Sequence, residues 1–120
     1  MLVIVPADES VANACREKAH RGGDCLSMTE NGEWKGFCLY DINSEKIVIH
    51  TLSTDEDILA EGLVRAAINV ARNREIPNAI CTDTQWPQML RRLGFKDTED
   101  GWQMDVADFF KPCCSGCSCS

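Results

Sequence analysis

The pattern of polar and apolar positions from residue 46 to residue 83 predicts a strand, a long helix and a second strand. Residues 46–53 and 78–83 are rich in β-branched and other apolar side chains, as expected of largely buried strands. Between them, polar residues recur every three or four positions, which is helical periodicity. These polar positions are Glu61, Arg65, Asn69 and Arg72. A helix with so broad an apolar face is expected to lie on a sheet, and two strands joined by such a helix are usually parallel.

The ends of this helix have their own signals. Ser53 followed by Glu56 fits a capping box, so the helix is predicted to span about residues 55–74. Pro77 disfavours helical geometry at Ile76 and ends the helix.

The rest of the chain predicts an α+β domain. Residues 1–110 are expected to form this single domain, and residues 111–120 a cysteine-rich tail. The remaining predicted elements are a strand at 1–5, a helix at 7–20, strands at 25–29 and 34–42 joined by an Asn-Gly turn, a short helix at 86–93 and a last strand at 102–106.

Composition and charge exclude several classes of function. The 120 residues are 44% hydrophobic, which is enough for one packed core. A net charge of −7 repels phosphate backbones and anionic lipid, so neither nucleic acid nor a membrane surface is an expected partner. No apolar run approaches the roughly 20 residues of a membrane helix. Pro6 ends the first apolar segment and no basic segment precedes it, so no signal peptide is predicted and a reducing cytoplasm is the expected location.

The order of elements resembles the GNAT superfamily of acyl-CoA N-acyltransferases over residues 37–104. The best local match is Leu93-Gly94-Phe95 after the short helix. The resemblance implies a mixed sheet, an antiparallel meander plus one parallel β-α-β crossover, with helices packed on it. It also implies that acetyl-CoA would lie between the two strands at 46–53 and 78–83. Its contacts would then include Leu52, Ser53, Ile58 and Ala60.

Several residues depart from the family's pattern. The family's pyrophosphate motif, Gln/Arg-x-x-Gly-x-Gly/Ala, matches residues 55–60 only at Ala60, and Ile58 takes the place of a glycine. A helix N-terminus stabilises an anion by about 0.3–1 kcal/mol. One like charge at about 5 Å opposes it by roughly 3 kcal/mol at an effective dielectric of about 20. Three carboxylates at this turn therefore predict a degenerate phosphate site. Leu90 also replaces a common tyrosine general acid, and Asp83 a common asparagine. The chain has one N-terminal helix where two are usual, and no clear seventh strand is predicted.

His50 is the candidate catalytic residue. Strand alternation places it on the same face as Val48 and Leu52. If that face lines the ligand cleft, His50 could act as a general base. The alternative is a histidine hydrogen-bonded within the sheet.

The cysteine-rich tail, residues 111–120, is the most distinctive chemical feature of the sequence. Its thiols are Cys113, Cys114, Cys117 and Cys119. Four thiolates suit zinc, Cu(I) or an iron–sulfur cluster. Thiol–disulfide redox chemistry and a reduced tail without a ligand are the alternatives. The four cysteines of the domain are expected to pack as small hydrophobes.

Two functional hypotheses follow. In the first, the chain is a GNAT-fold protein without ordinary acetyltransferase activity, and its tail binds a soft metal or cycles its thiols. In the second, it is an N-acetyltransferase that binds acetyl-CoA through a non-standard loop and acts on a small-molecule or protein acceptor. The missing N-terminal helix leaves a sheet face or edge that a second copy could cover, so a homodimer is also predicted as an alternative.

Overall fold

The computed structural model describes residues 1–110, which form one seven-stranded mixed sheet with helices on both faces. The strand order is β1-β2-β3-β4-β5-β7-β6. The elements in chain order are β1 (Leu2–Pro6), α1 (Glu9–Ala19), β2 (Asp24–Glu30), β3 (Glu33–Ile42), β4 (Lys46–Ser53), α2 (Asp57–Asn73), β5 (Asn78–Cys81), α3 (Pro87–Leu93), β6 (Lys96–Thr98), β7 (Gly101–Asp105) and α4 (Val106–Phe109).

The topology confirms the predicted fold class. Strands β1 to β4 form an antiparallel meander, and α2 carries the chain from β4 to a parallel β5. Strands β7 and β6 then add to β5 in antiparallel pairs. The expectation of no clear seventh strand was wrong. The three residues of β6, Lys96–Thr98, are all polar and exposed, so no hydrophobic pattern marks them.

Helix α2 covers the sheet with its apolar face, as its periodicity predicts. Leu63 and Val64 have no exposed surface, and Val70 is partly buried against the same core. The predicted start of the helix was wrong. Ser53 is not its cap, because it is still paired with Phe37 as the last residue of β4. Glu56 caps α2 instead, without a side-chain hydrogen bond.

The sheet separates two cores. Alternate residues of β3 enter opposite cores: Cys38 and Tyr40 contact the large core on the α2 side, whereas Phe37 and Leu39 pack with α1. The smaller core consists of Ala12, Cys15, Cys25, Phe37 and Leu39. None of the helices within residues 1–110 is long and apolar enough to cross a membrane.

Candidate ligand cleft at the carboxyl end of β4

The candidate site lies where β4 and β5 separate. Their parallel pairing runs from Lys46 opposite Asn78 to Ile49 opposite Cys81. One more bond follows, from the Thr82 N–H to the Ile49 carbonyl at 2.9 Å. Beyond it the ladder between the two strands ends. Ligands of open α/β sheets usually bind at such carboxyl ends.

The side chain of Asp83 bridges this separation. One carboxylate oxygen accepts a hydrogen bond from the Leu52 N–H at 2.9 Å, and the other accepts one from the Gln85 N–H at 3.0 Å. Asp83 is only 8% exposed. The carboxylate therefore connects β4 to the segment before α3. It also accepts the hydrogen bond of the one β4 N–H, that of Leu52, which it reaches across the gap.

A cleft of about 400 Å³ opens beside the end of β4. Its walls are Lys18, Trp34, Lys35, Gly36, Ser53, Thr54, Asp55, Glu56 and Leu59. Two lysines and two carboxylates thus share one space, so the cleft has no dominant charge. The floor of the cleft is formed in part by Gly36, whose φ is +152°. A Cβ there would lie 2.2 Å from the Ser53 carbonyl oxygen, so this approach of β3 to β4 requires glycine.

An apolar groove of about 330 Å³ continues from this cleft between α1 and β3. Trp34 and Lys18 belong to both spaces. The sequence did not predict the groove, because its walls come from segments that are distant along the chain. The remaining wall residues are Ser10, Val11, Ala14, Cys15 and Phe37.

The start of α2, where the resemblance led us to expect a pyrophosphate site, is acidic, and two of its carboxylates are already paired. Arg92 of α3 donates hydrogen bonds to Asp57 at 3.2 Å and to Glu61 at 2.9 Å. The bonds from Arg92 and Arg65 lower the pKa of Glu61. Ile58 is 71% exposed beside these charges.

The other predicted cofactor contacts occupy different environments. Leu52 is 1% exposed and Ala60 is fully buried, so a ligand could reach Leu52 only through its backbone. Ser53 lines the cleft.

His50 is hydrogen-bonded within the sheet. Its Nε2 lies 2.8 Å from a carboxylate oxygen of Asp41 on β3. The prediction that His50 shares a face with Leu52 was wrong. A β-bulge skips His50, since Tyr40 pairs with Ile49 and Leu39 with Thr51. The bulge turns Leu52 into the large core, and the residues that line the 400 Å³ cleft do not include His50.

The cysteines of the domain are free and buried, as predicted. They are Cys15, Cys25, Cys38 and Cys81. Burial raises the pKa of Cys81 to about 12, which makes its thiol a poor nucleophile and metal ligand at neutral pH. Within residues 1–110 no group of three or more His, Cys, Asp or Glu side chains is arranged to hold a metal ion.

The predicted metal ligands Cys113, Cys114, Cys117 and Cys119 lie outside the described residues.

One buried side-chain nitrogen in the described part of the chain has no hydrogen-bond partner. It is the indole Nε1 of Trp86, which precedes α3 and lies three residues after Asp83. A buried donor without a partner costs about 1–3 kcal/mol, so such an atom calls for an explanation.

No protein-family model matches the sequence, and no curated protein matches it. The fold, however, is that of many solved structures. A GNAT family acetyltransferase from Elizabethkingia anophelis, with acetyl-CoA bound, is 17% identical at a TM-score of 0.63, covering 82% of this chain and 78% of its own.

Two structures from Escherichia coli are similar to a comparable degree. The ribosomal-protein-S18-alanine N-acetyltransferase is 14% identical at a TM-score of 0.68, covering 88% of this chain and 94% of its own. A GNAT family N-acetyltransferase in complex with CoA is also 14% identical, at a TM-score of 0.66 over 89% of this chain and 82% of its own. The chain therefore has the fold of the GNAT acetyltransferases, as its order of elements predicts.

Proposed function

We propose that this chain is a GNAT-fold domain that does not catalyse ordinary acetyl transfer from acetyl-CoA, and that its cysteine-rich tail binds a soft metal ion or undergoes thiol redox chemistry. The bridge made by Asp83 is the observation that carries the first half of the proposal. Solved structures with this fold contain acetyl-CoA or CoA. In this chain the gap between the diverging strands holds a carboxylate.

The strength of the bridge supports this reading. A ligand that bonded to the Leu52 N–H would have to displace Asp83 from it, whereas the bond from the Gln85 N–H lies within a single segment. A hydrogen bond to a charged group contributes about 1.5–3 kcal/mol, so this displacement would cost about 1.5–3 kcal/mol. A micromolar complex has only about 8 kcal/mol of binding free energy. Displacing Asp83 would therefore offset a substantial part of this binding free energy.

The start of α2 adds a second obstacle. Asp55 and Glu56 line the cleft, and Asp57 follows at the first position of the helix. Arg92, the cation that contacts this turn, is already bonded to Asp57 and Glu61. Pyrophosphate in this cleft would therefore meet Asp55 and Glu56 beside the two lysines, and Arg92 would not be free to bind it.

Calorimetry with acetyl-CoA at low salt tests the proposal. We expect no binding at micromolar concentrations, and a dissociation constant of about 10 µM or tighter would refute it. The triple variant Asp83→Ala, Asp55→Arg, Ile58→Gly removes the bridge and restores a cation and a glycine, so it should gain affinity. Asp97→Ala, which changes an exposed carboxylate on β6, is the matched control and should gain none.

N-Acetyl transfer is the second candidate, favoured by one observation. Nε2 of His50 lies 2.8 Å from the Asp41 carboxylate, as it would in a general base held by an acidic partner, although His50 does not line the 400 Å³ cleft. This candidate predicts release of CoA from acetyl-CoA in the presence of primary amines, and loss of that release in His50→Ala. Absence of any release across a panel of small-molecule and peptide amines argues against it.

The tail requires a separate experiment. Zinc or Cu(I) is titrated into the reduced full chain and into a chain that ends at Pro112. We expect an additional bound ion in the full chain, and affinity should rise with pH because thiols must lose protons to bind. Equal stoichiometry would eliminate the tail as the metal site. If neither protein binds metal, reversible disulfide formation confined to the full chain would support the redox alternative.

A further inference from the structure

The two edges of the sheet differ in how they are protected. Strand β6, at one edge, has three residues, and two of them are charged. Strand β1, at the other edge, has the sequence Leu-Val-Ile-Val-Pro and no charge. Native proteins usually protect an edge with charge, proline or short length, because an open edge pairs with other strands. Only Pro6, at its end, protects β1.

The alternation of hydrogen bonds along β1 shows which of its backbone N–H and C=O groups have no partner in the sheet. The Asn31 N–H bonds to the Met1 carbonyl, and the Ala7 N–H bonds to the Cys25 carbonyl. Hydrogen-bonded pairs alternate along an antiparallel ladder, so Val3 and Val5 also face β2 with their backbone groups. Leu2 and Ile4 therefore direct their N–H and C=O groups away from the sheet, where no described strand follows.

The side chains around this edge are apolar and exposed. Val3 is 37% exposed, Val5 is 47% exposed and Trp34 is 48% exposed. Val3 is opposite Thr29, which is opposite Trp34, so these side chains form one row across three strands. The residues of this row carry no charge, although the chain has a net charge of −7, and exposed carboxylates flank the row at Glu30, opposite Leu2, and at Glu33, next to Trp34.

We infer that β1 is a homodimer interface, in which β1 of a second copy pairs antiparallel with it about a two-fold axis and joins the two sheets. The open edge is self-complementary. With Leu2 opposite Ile4 of the second copy, each pair exchanges two hydrogen bonds, and no bond falls on Pro6, which has no N–H. With Ile4 opposite itself, the Leu2 N–H reaches the Pro6 carbonyl. In both registers Val3 lies opposite a valine of the second copy.

The second copy is the favoured occupant because the two-fold axis makes each hydrogen bond between the edges occur twice, and places the apolar row of one copy beside that of the other. The same arrangement brings two negative chains together. The dimer should therefore tighten as salt screens their repulsion. An interface held mainly by charge pairs would weaken instead.

Sedimentation velocity on the reduced full chain tests the inference, with reductant present so that tail disulfides cannot cross-link it. We expect a concentration-dependent dimer. The double variant Val3→Lys, Val5→Lys should raise its dissociation constant about tenfold or more, because lysines then face each other in either register. The Ile58→Lys variant, which changes another exposed apolar residue, is the control and should dimerise as the native chain does. Mixing the double lysine variant with Val3→Glu, Val5→Glu should restore a heterodimer.

Amide hydrogen exchange gives a test that needs no substitution. At high protein concentration the Leu2 and Ile4 N–H groups should become protected, whereas those of Val3 and Val5 should be protected at every concentration. A native chain that stays monomeric at about 200 µM would overturn the inference. A dimer in which Leu2 and Ile4 exchange as fast as in the monomer would overturn it too.

Discussion

Replacing Asp83 by asparagine measures what the bridge between β4 and the segment before α3 contributes to stability. The native carboxylate accepts from Leu52 at 2.9 Å and from Gln85 at 3.0 Å. An amide offers one oxygen, so one of these bonds survives and the other position holds a donor that faces a backbone N–H. The variant thus removes an acceptor from a site that is almost closed to water.

The expected magnitude follows from the geometry. A hydrogen bond to a charged acceptor contributes about 1.5–3 kcal/mol, and a buried donor left unpaired costs about 1–3 kcal/mol. We therefore expect Asp83→Asn to lower the free energy of unfolding by about 2–3 kcal/mol. For a domain of this size the melting temperature should fall by roughly 10 °C.

The assay is urea unfolding, followed by tryptophan fluorescence and by far-ultraviolet circular dichroism. The two signals should give the same midpoint, and the slope should stay unchanged if the denatured state is the same. Asp97→Asn, on the exposed strand β6, is the control and should change the free energy by less than about 0.5 kcal/mol. A loss below about 0.5 kcal/mol for Asp83→Asn would refute the reasoning.

Two further predictions use the same assay. Gly36→Ala should destabilise the domain by about 2 kcal/mol or more, because its Cβ would lie 2.2 Å from the Ser53 carbonyl oxygen. Gly22→Ala, with nothing within 4 Å, should change stability by less than about 0.5 kcal/mol, and equal effects would contradict the close approach. In a chain ending at Pro112, stability should fall as pH rises above 9.0, because the unfolded chain releases the Cys81 proton while the folded chain, with this pKa at about 12, retains it. This thiol accounts for up to about 1.4 kcal/mol per pH unit, so Cys81→Ala should show a shallower fall, and an identical fall would exclude Cys81 as a source.

The sequence by itself determined the elements whose signals are local. Helix α2 follows from the 3.6-residue period of its apolar positions, and the Asn31-Gly32 hairpin turn follows from two residues that accept positive φ, +53° and +83° in the structure. The order of these elements was enough to predict the mixed sheet and its one parallel crossover. Each of these signals depends only on residues a few positions apart, which is why it can be read along the chain.

The tertiary structure alone decided the details of the site. The bridge from Asp83 to Leu52 joins residues 31 positions apart, and the bulge that separates His50 from Leu52 arises from the register between two strands. Helix α2 starts later than predicted because Ser53 pairs with Phe37 in the sheet. This pairing outweighs a favourable capping sequence. Strand β6 forms because its backbone pairs with β7, although its own three residues have no apolar pattern. In each case a backbone partner from a distant segment satisfies a donor or acceptor, and its identity is fixed only once the sheet has formed.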